Sequence, residues 1–403
     1  MKSRPTSGVH LTGWGAYAPS QVLTNADLER MVDTNDEWIV SRTGIRERRI
    51  AGPGETTASM AAVAGLRAIA TAGLGPDDID LIIVGTLTPD YQMPSTAALV
   101  KDAIGNKRAA AMDVAAACSG FVYGYATAQA YVASGMARHV LVIGAETLSR
   151  YTDFSDRTTC ILFGDGAGAV VLSASDEPGG TLGIEIRTEP SGAYFIWLPG
   201  GGSSRPPTAS TIAAGEHFMK MKGAETFKMA VRTLGSTALA SLSRAGIELA
   251  DVDLVVPHQA NIPIIEALAR SLDFPMARVF VNVECYGNTS AASVPMALSE
   301  AVAAGRVKKG DRLLFVAFGS GLTSGAITLE WTADPAAFSR AADIGPEDVT
   351  VMPGYLGPVN PFPPALEWLR RDAAASSGRN PDLDVRDIKP AAKGPPAAAS
   401  RPG

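Results

Sequence analysis

Ala72-Gly73-Leu74, followed by Asp78-Ile79-Asp80-Leu81-Ile82-Ile83, returns later in the chain as Ala245-Gly246-Ile247 and Asp251-Val252-Asp253-Leu254-Val255-Val256. Every matched position is displaced by 173 residues, and the same displacement lays Val140-Leu141-Val142-Ile143 on Leu313-Leu314-Phe315-Val316. Two independent pairs at one offset indicate a duplicated unit. In both copies short β-branched runs alternate with Ala-rich helical stretches, the pattern of mixed parallel sheets joined by crossover helices. The fold expected is therefore α/β, with two similar halves packed around a shared helical layer. Residues 1–175 are assigned to the first half and 176–332 to the second, leaving 333–403 as a Pro/Ala-rich extension expected to be largely disordered.

Composition narrows the class. The 403-residue chain is 46% hydrophobic and 19% charged, which suits a globular protein with more than one core unit. No apolar run is long enough for a membrane helix, so no membrane insertion is expected. The N-terminal Met1-Lys2-Ser3-Arg4-Pro5 lacks the apolar stretch of a secretory signal. Three cysteines give no disulfide framework and suit a reducing, cytoplasmic setting. A net charge of −6 argues against nucleic acid as the main partner. Four scattered histidines and three scattered cysteines assemble no metal cluster.

Within the first half, Ala109 to Val114 reads as a strand buried on both faces, and Gly120 to Gly135 as a long apolar helix. Cys118 stands at their junction, in Ala115-Ala116-Ala117-Cys118-Ser119-Gly120-Phe121. The positive end of the helix dipole and its free N–H groups would lower the thiol pKa there. Local sequence leaves a buried structural cysteine equally open. In the second half, the buried run Asp253–Pro257 ends at His258-Gln259-Ala260-Asn261. The polar loop Glu284-Cys285-Tyr286-Gly287-Asn288-Thr289-Ser290 opens a small-residue helix that runs to about Ala304. Cys118, His258 and Asn288 thus all fall at the edge of an α/β sheet where ligands bind, so the site should lie between the halves. A Cys–His–Asn set also occurs in papain-like proteases, but the Ala/Gly surroundings of Cys118 are not theirs.

Five segments in order carry a resemblance to a known family. They are Asp33-Thr34-Asn35-Asp36-Glu37-Trp38-Ile39-Val40-Ser41-Arg42-Thr43-Gly44-Ile45-Arg46-Glu47-Arg48, Ala117-Cys118-Ser119-Gly120-Phe121, Phe163-Gly164-Asp165-Gly166-Ala167-Gly168-Ala169, Val256-Pro257-His258-Gln259-Ala260-Asn261 and Tyr286-Gly287-Asn288-Thr289-Ser290. Over roughly residues 8–332 the chain resembles the β-ketoacyl-acyl carrier protein synthases III, type III condensing enzymes of the thiolase superfamily. The resemblance implies a thiolase-like, five-layered αβαβα fold and a homodimer. It implies no cofactor, with acyl-coenzyme A as substrate. Cys118 would carry the acyl group covalently, while His258 and Asn288 would stabilise the enolate left by decarboxylation of a malonyl thioester. The backbone N–H groups of Cys118 and Ser320 would form the oxyanion hole. Trp38, Arg42 and Arg157 match coenzyme A-binding positions, and Lys228 a basic position that docks an acidic carrier protein. Met93 stands where the family reaches into the partner's acyl pocket.

Other features read more plainly. The glycines of Gly164–Gly168 precede a strand, not a helix, so they are not a dinucleotide loop. Arg46, Arg48 and Arg49 read as a solvated cluster. The chain departs from the family at Pro263, at Arg270-Ser271, at Ser320 (usually glycine) and around Leu322–Ser324. The departures leave open whether malonyl-acyl carrier protein or malonyl-coenzyme A is the extender, and whether the pathway is general or specialised. An acyltransferase of the same fold, passing the acyl group from Cys118 to an alcohol or amine, is the rival expectation. Residues 374–403 are expected to be disordered, and Pro364–Arg371 to be solvated or one short docking turn.

Overall fold

Asp80 and Asp253, equivalent in the repeat, show why the duplicated segments fold alike. The Asp80 N–H donates to the His139 carbonyl (2.9 Å) while its carboxylate accepts from the His139 N–H (3.1 Å). Asp253 makes the same pair with Arg312, at 2.9 and 2.8 Å. Each clamp sets the register of a parallel pairing, Leu81 beside Val140 and Leu254 beside Leu313. The structure, a computed structural model, describes residues 8–349 and 364–366.

The first sheet holds, in spatial order, Gly8–Tyr17, Gly166–Ser175, His139–Glu146, Leu81–Gly85 and Ala110–Val114. The second holds Leu254–Pro257, Arg312–Gly319, Thr323–Glu330 and Gly180–Thr188. Successive side chains of a strand face opposite ways, so an all-apolar strand serves two cores. Leu81, Ile83, Val140 and Val142 face inward, as do Leu313 and Phe315 of the second sheet. Between the sheets they meet Phe121, Val122 and Tyr125 of the helix Gly120–Ala133, and Val294, Ala297 and Leu298 of the helix Ser293–Ala303. These helices begin 173 residues apart. Ile82, Val84 and Leu141 face outward onto the helix Thr57–Thr71. Val255, Leu314 and Val316 face outward onto the helices Gly223–Ala245 and Ile262–Ser271. Five layers result, helix and sheet alternating, which is the thiolase-like architecture.

Three expectations need correction. The strand Ala110–Val114 is not buried on both faces: it is the sheet's edge and is largely half-exposed. Arg48 is not solvated. Fully buried, it donates to the carbonyls of Leu23 and Ile161 and to Asn25 Oδ1, and burial lowers its pKa to about 10. Arg46 alone of the three arginines is exposed. Finally, the extension does not turn wholly to solvent. Ala337 and Phe338 pack on the central core, and Arg67 Nε donates to the Ile344 carbonyl at 2.9 Å. Leu366 is fully buried against Leu23, Leu28 and Ile39. The disorder expected for 374–403 lies outside the described residues, as does most of the turn expected at 364–371.

Candidate active site

The repeat also governs the site's backbone. Ala117 and Ser290, 173 residues apart, both adopt φ of +50°, a strained setting for a residue bearing Cβ. Each opens a tight 3-10 turn, Ala117–Ser119 and Ser290–Ala292, that runs into a central helix. The first turn presents Cys118 and the second presents Ser290 to one cavity of about 520 Å3. His258 and Asn288 line the same cavity.

His258 follows the strand Leu254–Pro257, its N–H donating to the Val316 carbonyl at 2.7 Å. Nδ1 lies 2.6 Å from Ser293 Oγ, so a proton donated by that hydroxyl leaves the ring's own hydrogen on Nε2. Burial drops the imidazole pKa to about 3, which keeps it neutral. The next residues of the motif are structural. Gln259 Oε1 accepts from the N–H groups of Asn282 and Val283, and Asn261 caps the helix Ile262–Ser271.

Asn288 is tied to the other half. Its N–H donates to the Leu162 carbonyl (2.8 Å), and its own carbonyl accepts from Gly164 (3.1 Å). A Cβ on Gly164 would stand 2.1 Å from the Tyr286 carbonyl oxygen, which explains the glycine before Asp165. Asn288 Oδ1 accepts from the Ser290 N–H at 2.9 Å, which leaves Nδ2 as the donor available to a ligand. Two neutral donors, the imidazole and the carboxamide, therefore border one cavity with a thiol. That set can stabilise a developing oxyanion beside a nucleophile.

The thiol departs from expectation. Cys118 is half-buried and lines the cavity, and burial pushes its pKa up to about 12. The Ser290 hydroxyl works against that rise, while the charge of Glu146 adds to it. Desolvation outweighs the helix end, so the resting group is a neutral thiol. The other two cysteines, Cys160 and Cys285, are also unpaired.

Trp38 and Arg42 line the cavity from the helix Asp36–Thr43, which Asn35 caps. The guanidiniums of Arg42 and Arg157 lie 4.9 and 5.1 Å from the Trp38 ring centre, and Arg157 donates to the Asp33 carbonyl at 2.8 Å. Ser320 lines the cavity too, and its hydroxyl donates to the Ile196 carbonyl. Thr323 Oγ1 bridges the Ser320 and Ala116 carbonyls (3.0 and 2.8 Å), so the added side chain leaves the loop attached to the Cys118 turn. Lys228 is exposed on the helix Gly223–Ala245, next to cavity-lining Phe227. Met93 is 87% exposed and does not line this cavity.

Glu146, Ser290 and Ser293 escaped the sequence reading as site residues. A glutamate closing the otherwise apolar strand His139–Glu146 was the available signal.

Comparison with known proteins identifies the family. The family described as 3-oxoacyl-[acyl-carrier-protein (ACP)] synthase III matches residues 112–190, and its C-terminal counterpart matches 242–331. A beta-ketoacyl-[acyl-carrier-protein] synthase III of Desulfitobacterium hafniense is 49% identical over 324 residues, 80% of this chain and 98% of that protein. One from Roseiflexus castenholzii is 50% identical over 323 residues, again 80% and 98%. The crystal structure of 3-oxoacyl-[acyl-carrier-protein] synthase III from Aquifex aeolicus superposes with a TM-score of 0.75 at 47% identity, over 80% of this chain and 100% of that one. The priming β-ketosynthase of the R1128 polyketide pathway gives 0.77 at 34%, over 83% and 99%. The chain belongs to the β-ketoacyl-[acyl-carrier-protein] synthase III family.

Proposed function

We propose that this protein joins an acyl-coenzyme A primer to a malonyl thioester by decarboxylative Claisen condensation, in fatty acid or specialised polyketide-type biosynthesis. The observation that carries the reading is the convergence of Cys118, His258 and Asn288 on one cavity with Trp38 and Arg42 on its wall. Cys118 attacks the primer thioester, releases coenzyme A and keeps the acyl group. Trp38, Arg42 and Arg157 hold the coenzyme A moiety by stacking and charge. The malonyl thioester, carried by an acyl carrier protein or by coenzyme A, then loses carbon dioxide. The enolate oxygen accepts from His258 Nε2–H and Asn288 Nδ2–H, and the carbanion attacks the acyl-Cys118 carbonyl. That oxyanion takes the N–H groups of Cys118 and Ser320. A donor amide at Asn288 suits condensation better than transfer to an alcohol or amine, which forms no enolate.

Two features support the remaining assignments. Exposed Lys228, beside the cavity wall, suits docking of an acidic carrier protein by electrostatic steering. The half-exposed edge strand Ala110–Val114, four residues before Cys118, suits a homodimer joined along that edge. Met93, outside its own cavity, would then act on the partner's acyl pocket. We take 1–175 and 176–332 as the two thiolase-like halves. No helix among the described residues is long and apolar enough to cross a membrane.

The test is incubation with a panel of acyl-coenzyme A primers and malonyl-carrier protein or malonyl-coenzyme A, read by mass spectrometry. The reading requires a Cys118 adduct and a β-ketoacyl product. An adduct that turns over only to an ester or amide refutes it.

A further inference from the structure

The family match ends at residue 331, yet the chain that follows returns to the first half of the molecule. Ala337 and Phe338 pack on the central core, and Arg340 Nη1 donates to the Thr71 carbonyl at 3.4 Å. Arg67 Nε holds the Ile344 carbonyl at 2.9 Å, and Val349 packs on the outer core of the first sheet. Farther along, Ala365 is exposed while Leu366 is fully buried. Leu366 joins a cluster distinct from the main cores, with Leu23, Leu28, Ile39, Phe154 and Ile161. Among the described residues, it is the only member of that cluster from beyond residue 162.

The cluster supports both segments assigned to coenzyme A. The helix Asp36–Thr43, which carries Trp38 and Arg42, is eight residues long and buries only Ile39 and Thr43. A helix so short is not held by its own propensity, so packing must hold it. Ile39 is its buried apolar anchor and belongs to the cluster, and half-buried Trp38 packs against the same cluster. Arg157 lies between Phe154 and Ile161, two further members. The guanidiniums of Arg42 and Arg157, at 4.9 and 5.1 Å from the Trp38 ring centre, therefore depend on the same support.

We propose that Leu366 is a positioning residue for acyl-coenzyme A: it completes the cluster on which Trp38 rests and so fixes the ring that stacks on the coenzyme. The inference rests on the reading of Trp38 as a coenzyme A-binding residue. Removing the leucine opens a gap that its neighbours close only in part. Ile39 and Trp38 border solvent and the cavity, so they are free to shift, and a ring no longer held in place binds its ligand less tightly. Cys118 and His258 are held elsewhere, by the turn Ala117–Ser119 and by the Val316 carbonyl. The C-terminal extension thus tunes affinity and leaves the chemistry at the thiol alone.

The test is single-turnover mass spectrometry of Cys118 acylation in the full-length protein, with acyl-coenzyme A varied. Leu366→Asp places a carboxylate that the cluster cannot satisfy, and the segment should leave it. The half-saturating acyl-coenzyme A concentration should rise roughly threefold to thirtyfold, the range set by the Trp38 contact itself, with the maximal acylation rate kept. Hydrogen exchange of the amides in 36–43 should quicken. Leu366→Met, similar in volume, should keep wild-type half-saturation. In a Trp38→Ala background Leu366→Asp should add little, because its effect passes through that ring. Should Leu366→Asp not fold, Leu366→Ala decides the matter by the same shift. Unchanged half-saturation in a folded variant, a loss confined to the maximal rate or to thermal stability, or full additivity with Trp38→Ala would each overturn the inference alone. Absence of any adduct in the wild-type protein, or normal half-saturation in Trp38→Ala, would instead overturn the functional reading of the site, and the inference with it.

Discussion

Gly319 offers the sharpest test of how the oxyanion site is built. It ends the strand Arg312–Gly319 and passes against the Cys118 turn with no side chain between them. A Cβ added there would stand 2.6 Å from Cys118 N, 3.0 Å from Ala117 Cβ and 3.2 Å from Ser119 N. Ordinary van der Waals contact begins at 3.4 Å, so Gly319→Ala must move the Cys118 N–H by about 0.8 Å or move the Ser320 loop by as much. The clash is with backbone on both sides, so no rotamer change relieves it. Overpacking of this kind costs about 1–3 kcal/mol of stability, which a protein of this size survives. The loss in activity should be larger. Removing one oxyanion donor costs about 10²–10³ in rate, and a misplacement near 1 Å about 10². Gly319→Ala should therefore acylate Cys118 roughly 100-fold more slowly, with near-normal affinity for acyl-coenzyme A. Single-turnover mass spectrometry gives the rate, and urea unfolding of the same sample shows that it is folded. A folded variant that acylates within about threefold of wild type would show that the Cys118 N–H is not an oxyanion donor.

Other expectations follow from the same geometry. Cys118→Ala should form no acyl adduct with any primer, and mass spectrometry of the intact protein checks this directly. Asn288→Ala should keep acylation but lose about 10²-fold or more in decarboxylation of the malonyl thioester; equal loss in both half-reactions would remove its enolate role. Trp38→Ala should raise the half-saturating acyl-coenzyme A concentration by roughly threefold to thirtyfold, the worth of a stacking contact, and spare the maximal rate. Because burial lowers the His258 pKa from 6.5 to about 3, the unfolded chain binds a proton between those values that the folded chain refuses. That site's contribution is fully present above pH 6.5 and is lost as pH falls toward 3, by about 5 kcal/mol at most. Urea midpoints should drop less steeply over that range in His258→Gln than in wild type.

Much of this was legible in the residues because the repeat is legible. An offset of 173 paired Leu81 with Leu254 and Val140 with Leu313, and those four residues make the equivalent parallel ladders. The junctions after the strands followed, and with them Cys118, His258 and Asn288 in one cavity. What stayed hidden depends on contacts between distant segments. Ser290 meets Glu146 across 144 residues of sequence, and nothing local marks the pairing. The direction of the Cys118 pKa was misread because a helix end is visible in sequence, whereas desolvation by the second half is not. Arg48 looked solvated beside Arg46 and Arg49 because the three carbonyl and amide acceptors that bury it come from 23 to 113 residues away.

Gly319 is not alone in lacking a spacer. Cβ atoms on Gly144 and Gly85 would stand 2.1 Å from the Ala291 carbonyl oxygen and 2.5 Å from the Gly120 carbonyl carbon. The floor beneath the thiol is main chain pressed on main chain, and it leaves selection nothing to trim or enlarge. Ile196, Met219 and Phe227 also line the cavity, and their bulk can be exchanged without disturbing that floor. Adaptation to longer, shorter or branched primers should therefore be written in such side chains, while the reaction beside them stays the same.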